Sequence, residues 1–319
     1  MTIAFYDAAQ VEELLDYPGC IEAMRRAMIA LSSGERPQPL RQIFTVSKDQ
    51  KFGTMPGELA ALSTFGAKLI SVFDDPDRPG RTRHQGVVVA YDGENGAVTC
   101  IADAEPITKI RTACATAAAT DALARADAEV LAIFGTGLQA ESHLHALPLV
   151  RAFREILIWG QTPQKAREFA ERMSRELDRE IEPVSDGREA AARADVICTV
   201  TSSAQPILLG EWVKPGTHVN LVGSSYLGPV EVDTALVTRA RYVADYRPGV
   251  LAQGAELAAA RDAGVIDDTH VICEIGDVFA GRVQAREDDG QVTIYKSLGH
   301  VVQDLAAAAY LQQRAKGGR

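Results

Sequence analysis

The stretch VLAIFGTGLQAESHLHAL, residues 130–147, runs an apolar segment into G-T-G-L-Q-A and then into a helical pattern. A strand ending in such a turn presents the free N–H groups of the following helix to a phosphate. Gly135 permits the tight turn, Gly137 lets the backbone approach a pyrophosphate, and Ala140 keeps the new helix against its strand. Gly135, Thr136, Gly137, Leu138 and Gln139 are therefore the expected dinucleotide contacts.

Beyond this turn, strand-like runs at 155–160, 194–200, 217–223, 242–246 and 270–275 alternate with helical segments. That alternation predicts an α/β unit of Rossmann type, a doubly wound parallel sheet covered on both faces. The residues before it read differently. Residues 7–33 carry helical periodicity broken at Pro18-Gly19, and from about residue 42 the chain turns to short β-rich runs. Asp92-Gly93-Glu94-Asn95-Gly96 separates two apolar runs and predicts a hairpin. An Ala-rich helix is expected over 105–127, and another follows Ser297. The expected organisation is an α+β substrate and dimerisation domain at 1–120, a Rossmann domain at 121–297, and a C-terminal helix, 298–319, returning to the first domain.

A length of 319 residues suits two such domains. The net charge of −10 argues against a nucleic-acid partner, which needs a basic face. No run of apolar residues is long enough for a membrane span, and the start lacks the pattern of a secretory signal. Cys20, Cys100, Cys114, Cys198 and Cys273 are scattered without a C-x-x-C and read as buried thiols of a cytoplasmic protein. No metal site is expected: His143 and His145, two apart, point to different faces of a helix.

The choice of nucleotide is made after the second strand, in ILIWGQTPQKARE. An NAD site would place a carboxylate there for the ribose 2′-OH. Gly160, Gln161 and Thr162 are uncharged, and Lys165 and Arg167 follow, so NADP(H) is favoured and NAD(H) stays open. Three cations precede the turn: Arg41, Lys68 within an apolar strand, and Arg111 on a small apolar face. A charge in such a setting is costly to bury unpaired.

Taken together, RQIF…TMPGEL…GAKLISVF, RHQGVVVAYDGENGAVTCIADAEPITKIRTACATAAATDALA, IFGTGLQAESHLHAL, ADVICTVTSSAQPIL, VNLVGSS, EIGDVFAGR and IYKSLGHVVQDLAAA resemble the ornithine cyclodeaminase and mu-crystallin family. The resemblance covers most of the chain in order. It implies a homodimer and a small amino- or imino-acid substrate whose carboxylate is held by Arg41, Lys68 and Arg111. It further implies nicotinamide-side contacts from His84 and Ser297, and cofactor contacts from Thr201 and Ser202 after the 194–200 strand. Val222 and Gly223 join them after the next strand, and Gln161 and Thr162 at the ribose.

One departure bears on the chemistry. Cyclodeaminases and the related alanine dehydrogenases carry a catalytic aspartate where this chain has Ser225. Mu-crystallin-like ketimine reductases resemble it in having serine there. Reducing an already protonated cyclic imine needs a bound carboxylate, a positioned C=N⁺ and a hydride donor, not a carboxylate base. Lys68, Arg111 and Ser225 are thus the catalytic candidates, with Glu58 and Asp304 as further acids to watch. The expected activity is an NAD(P)H-dependent reduction of 1-pyrroline-2-carboxylate or 1-piperideine-2-carboxylate to proline or pipecolate. Ornithine cyclodeamination, an amino-acid dehydrogenase and a non-enzymatic NADP(H)-dependent binding protein are the alternatives. A missing arginine in IWGQT departs from the mu-crystallin pattern.

Overall fold

The computed structural model describes residues 3–34, 36–47, 50–74 and 82–317, the side chains of residues 74 and 82–84 excepted. The chain forms two compact units, 1–115 with 300–319, and 116–299.

The first unit opens with β1 (Ala4–Tyr6), α1 (Ala8–Leu14) and α2 (Tyr17–Ser32). The helices part at Leu15 and Asp16 rather than at Pro18-Gly19. Asp16 is the N-cap, accepting from Gly19 N at 2.9 Å, and Pro18 lies in the first turn, where its missing N–H leaves nothing unmet. β2 (Gln42–Ser47), β3 (Gln50–Leu59), β4 (Thr64–Asp74), β5 (Thr82–Asp92) and β6 (Val98–Asp103) form an antiparallel meander. β1 joins it in parallel beside β6, giving the order β1-β6-β5-β4-β3-β2 among the described residues. The predicted hairpin joins β5 to β6, with Gly96 at φ +72° and Asp92 Oδ1 accepting from the N–H groups of Glu94 and Asn95.

α3 (Ala104–Leu123) is buried around nearly its whole circumference, as its small, apolar composition requires. It ends at Leu123 and not at 127, because Arg125 turns aside to Asp127 and Asp195 at 3.0 and 3.2 Å.

The second unit runs β7 (Val130–Phe134), α4 (Leu138–Ala146), β8 (Glu155–Trp159), α5 (Pro163–Leu177), β9 (Glu182–Val184), α6 (Gly187–Arg193) and β10 (Val196–Thr199). It continues through β11 (His218–Leu221), α7 (Thr234–Arg239), β12 (Arg241–Ala244), α8 (Arg247–Gln253), α9 (Ala255–Asp262), β13 (Val271–Glu274), α10 (Ile275–Phe279) and β14 (Thr293–Lys296). All neighbouring strands are parallel, in the order β13-β12-β14-β11-β10-β7-β8-β9. β7, β10, β11 and β14 are buried throughout, as strands covered on both faces are. The chain leaves β7 in one direction through β8 and β9 and resumes on the other side with β10. A doubly wound sheet opens its ligand crevice at such a reversal, outside the carboxyl ends of the strands.

α11 (Val301–Gly317) belongs to the first unit, packing on α2 and on β3, β4 and β5. Its close seat needs small residues opposite. A Cβ at Gly66 of β4 would strike the Val89 carbonyl oxygen and reach within 3.0 Å of Leu305 Cδ2. Gly66→Ala is expected to cost about 1–3 kcal/mol, as overpacking does, seen as a lower denaturant midpoint. An unchanged midpoint would show that the β4–β5 ladder and Leu305 yield to the added methyl without strain.

Candidate functional site

Lys68 sits mid-strand in β4, Arg111 on α3 and Asp304 in the first turn of α11, all in the first unit. Lys68, Arg111 and Asp304 are 2%, 4% and 0% exposed, so none is a surface charge. Both cations converge on one oxygen: Lys68 Nζ lies 3.1 Å and Arg111 Nε 3.0 Å from Asp304 Oδ1. Arg111 also donates to Gln303 Oε1 at 2.6 Å, and Lys68 reaches Thr108 Oγ1 at 3.4 Å. Two buried cations therefore share one carboxylate.

The electrostatics follow from that count. Burial, reinforced by the Arg111 charge, brings the Lys68 ammonium down to about 7 against the pull of Asp304, and Arg41 lowers it further. Burial alone would raise the Asp304 carboxyl. The charges of Arg111 and Lys68, and their hydrogen bonds, outweigh it and hold Asp304 below the usual carboxylate range. Arg41 is half-buried just before β2. Asp304 is thus a counter-ion to the cations. Glu58, the other acid of interest, lies near the end of β3, where its N–H donates to Gln38 Oε1 at 3.0 Å.

Two neighbours are not evident from sequence. Gln303 binds Arg111, and His300 precedes α11 with its Nδ1 accepting from Val302 N at 3.3 Å. Burial chiefly pushes the His300 imidazole down to about 4, with Arg41 and Arg111 adding to this against Asp304, so it is neutral with its proton on Nε2. The only sequence signal for either is its place beside Asp304 in LGHVVQDL.

In the second unit the glycine turn follows β7. Gly135 has φ +142° and its N–H donates to the Trp159 carbonyl at 2.8 Å. A Cβ there would come within 2.8 Å of Val200 Cγ2. Nothing lies within 4 Å of a Cβ built on Gly137, which precedes α4 without a side-chain cap, so space opens over the helix N-terminus. Leu138 is exposed and Ala140 fully buried beneath it. Gln139 contributes its carbonyl to His143 Nδ1 at 2.7 Å.

Thr201 is half-buried and Ser202 exposed in the loop after β10, while Val222 and Gly223 follow β11. The Ser224 and Ser297 hydroxyls, at the carboxyl ends of β11 and β14, are buried with no hydrogen-bond partner among the described residues. Buried hydroxyls at such a crevice suit a polar ligand. These features fit a dinucleotide. Ser225 is half-buried, and among the described residues no acid or imidazole is hydrogen-bonded to it. The His84 side chain lies outside the described residues; its backbone belongs to β5.

Gln161, Thr162, Lys165 and Arg167 are all exposed at the start of α5, and Thr162 makes no capping hydrogen bond. Gly160 packs on the turn itself: a Cβ would meet Thr136 Cγ2 at 3.0 Å. A carboxylate-bearing residue is tight at 160 and unhindered at 161.

The fold and these side chains define a two-unit chain with a Rossmann half and, in the other half, two buried cations paired with one carboxylate. The chain belongs to the ornithine cyclodeaminase/mu-crystallin family, which it matches over residues 2–319. It is 32% identical to the ketimine reductase mu-crystallin of Mus musculus, over 99% of this chain and 98% of that protein. Among solved structures it is similar to Thermococcus litoralis Delta(1)-pyrroline-2-carboxylate reductase in complex with NADH and L-proline. The TM-score is 0.93 and the identity 30%, over 99% of this chain and 98% of that one. An archaeal alanine dehydrogenase dimer with bound NAD aligns at TM-score 0.90 and 27% identity, over 100% of this chain and 97% of that one.

Removing one member of a buried ion cluster typically costs about 3–5 kcal/mol. Asp304→Asn is expected to lose that much in urea denaturation near neutral pH, and Lys68→Met with Asp304→Asn to recover part of it. Because the Asp304 pKa is depressed, its contribution is present at neutral pH and fades as pH falls through the folded value. The wild-type advantage over Asp304→Asn must shrink in acid. A pH-independent difference would refute the ion-pair account.

Proposed function

We propose that this protein is an NAD(P)H-dependent reductase of cyclic ketimine carboxylates, acting on 1-pyrroline-2-carboxylate or 1-piperideine-2-carboxylate to give proline or pipecolate. The observation that carries the reading is the pairing of Lys68 and Arg111 with a single buried carboxylate. Two cations on one anion leave a positive excess in an apolar setting, and a substrate carboxylate neutralises it. The names of the mouse and Thermococcus relatives support the same substrate class.

When bound, the dinucleotide supplies the hydride. Arg41, Lys68 and Arg111 hold the carboxylate and so fix the imine carbon, an orienting effect worth of order 7–11 kcal/mol at best. Lys68, at about 7, is poised to hand a proton to the imine nitrogen near neutral pH. The absence of an acid at Ser225 favours reduction over cyclodeamination, which needs a carboxylate base. Hydride addition to C=NH⁺ gives the secondary amine with no other bond broken.

The uncharged Gln161 and Thr162, followed by Lys165 and Arg167, support NADP(H) over NAD(H). The exposed apolar side chains of Phe44, Val46 and Phe52, on one face at the β2–β3 edge of the first unit's sheet, support a homodimer, since patches of this kind mark association surfaces. Five buried thiols and the absence of any described helix able to cross a membrane support a cytoplasmic setting.

Loss of nicotinamide absorbance on adding either cyclic imine tests the activity, and no turnover with NADPH or NADH over a broad pH range would sink it. Arg41→Met is expected to raise KM for the imine about 10–100-fold, the scale of a lost charge-assisted contact, with cofactor affinity unchanged. The wild-type KM should rise with pH through about 7 as Lys68 loses its charge. Gln161→Asp should raise KM for NADPH about tenfold or more by repelling the 2′-phosphate and spare NADH; equal effects on both nucleotides would contradict the NADP(H) assignment.

A further inference from the structure

The loops after β10 and β11, which carry Thr201, Ser202, Val222 and Gly223, are tied together by one side chain. Glu231 is fully buried and each of its oxygens accepts two hydrogen bonds. Oε1 takes Thr201 N at 2.7 Å and Thr201 Oγ1 at 2.8 Å. Oε2 takes Thr199 Oγ1 at 2.8 Å and Gly223 N at 2.9 Å. The carboxylate lies so close that a Cβ on Gly223 would come within 2.5 Å of Oε1.

The tie extends to the third loop of the crevice. Glu231 N donates to Glu256 Oε1 at 3.3 Å, and Glu256 Oε2 pairs with the fully buried Lys296 at 2.8 Å. Lys296, the last residue of β14, donates to the Ser224 carbonyl at 2.7 Å. A continuous buried path thus links the strand ends that flank Ser224 and Ser297, the two hydroxyls without partners.

We infer that Glu231 is the positioning residue of the cofactor crevice, setting the β10 and β11 loops in the conformation that receives the dinucleotide. The inference rests on the reading of Thr201, Ser202, Val222 and Gly223 as cofactor contacts. Four donors aimed at one carboxylate demand an acceptor-only group. Glutamine keeps the shape but turns an NH₂ toward two N–H or O–H donors, so one loop loses its anchor. The role is in holding the loops, and the chemical step does not pass through Glu231.

The test is a fluorescence titration of the full-length protein with NADPH and NADH, beside thermal melts and kcat at saturating cofactor. Glu231→Gln is expected to raise Kd about 10–100-fold, the range for lost charge-assisted hydrogen bonds, with kcat at saturation within about threefold. Thr199→Val removes one donor outside the contact residues, keeps the side-chain size, and should raise Kd severalfold. Kd unchanged with a lower melting temperature would overturn the inference in favour of a purely structural carboxylate. A fall in kcat at unchanged Kd would overturn it in favour of a part in the chemistry. If Glu231→Gln does not fold, Thr199→Val decides, and an unchanged Kd overturns it. Wild-type protein that binds neither nucleotide would overturn the cofactor reading itself, in an arm that involves no variant.

Discussion

Asp304 is the anchor of the first unit. Its Oδ1 receives Lys68 from a β-strand and Arg111 from a helix, and all three charges are buried. Ion clusters of this kind add little net stability, because desolvation offsets most of the attraction. Their effect is on conformation: the pairing holds α11 across the sheet with its first turn toward β4. The buried cationic pair is thereby held on one carboxylate at a fixed place in the first unit.

The second unit uses a carboxylate in a comparable way, without a cation in direct contact. Glu231 is surrounded by N–H and O–H donors from segments that leave adjacent strands. Parallel strands end together at one edge of the sheet, but their loops have no reason to stay together once the ladder stops. A side chain that accepts from both loops continues the order of the sheet a few ångströms beyond its edge. The glycine turn after β7 needs no such support, since Gly135 is locked by its own hydrogen bond to Trp159 and by Val200.

Much of this was legible in the residues. The strand-turn-helix at 130–147 announces its own geometry, because glycine spacing and apolar runs are local signals. The hairpin at Asp92–Gly96 is local in the same sense, and both stand where expected. Two strands of the Rossmann sheet, β9 and β14, escape such reading: EPV and TIYK are too short to show a period, and β14 owes its pairing to a neighbour far along the chain. Cation types in unlikely places, Lys68 in an apolar strand above all, drew attention to positions that the fold brings together in a buried ion cluster. Its counter-ion required the fold, for nothing in VVQDL says that Asp304 faces β4 instead of solvent. Glu231 was illegible for the same reason, since a carboxylate in VEVD reads as an ordinary surface residue until its four donors are placed around it.

The bond between Lys68 and Asp304 spans 236 positions of sequence. The six-stranded sheet and α2 are made first, the Rossmann unit follows, and only then does the helix that completes the first unit emerge. Contacts so distant along the chain are slow to form, and surfaces awaiting them are exposed to misassociation in the meantime. Through that interval Lys68 has no Asp304 to pair with, and the face of the sheet that α11 will cover is bare. Folding of the first unit is thereby made contingent on synthesis of the second, so that an ion cluster of this architecture cannot mature before its partner domain exists.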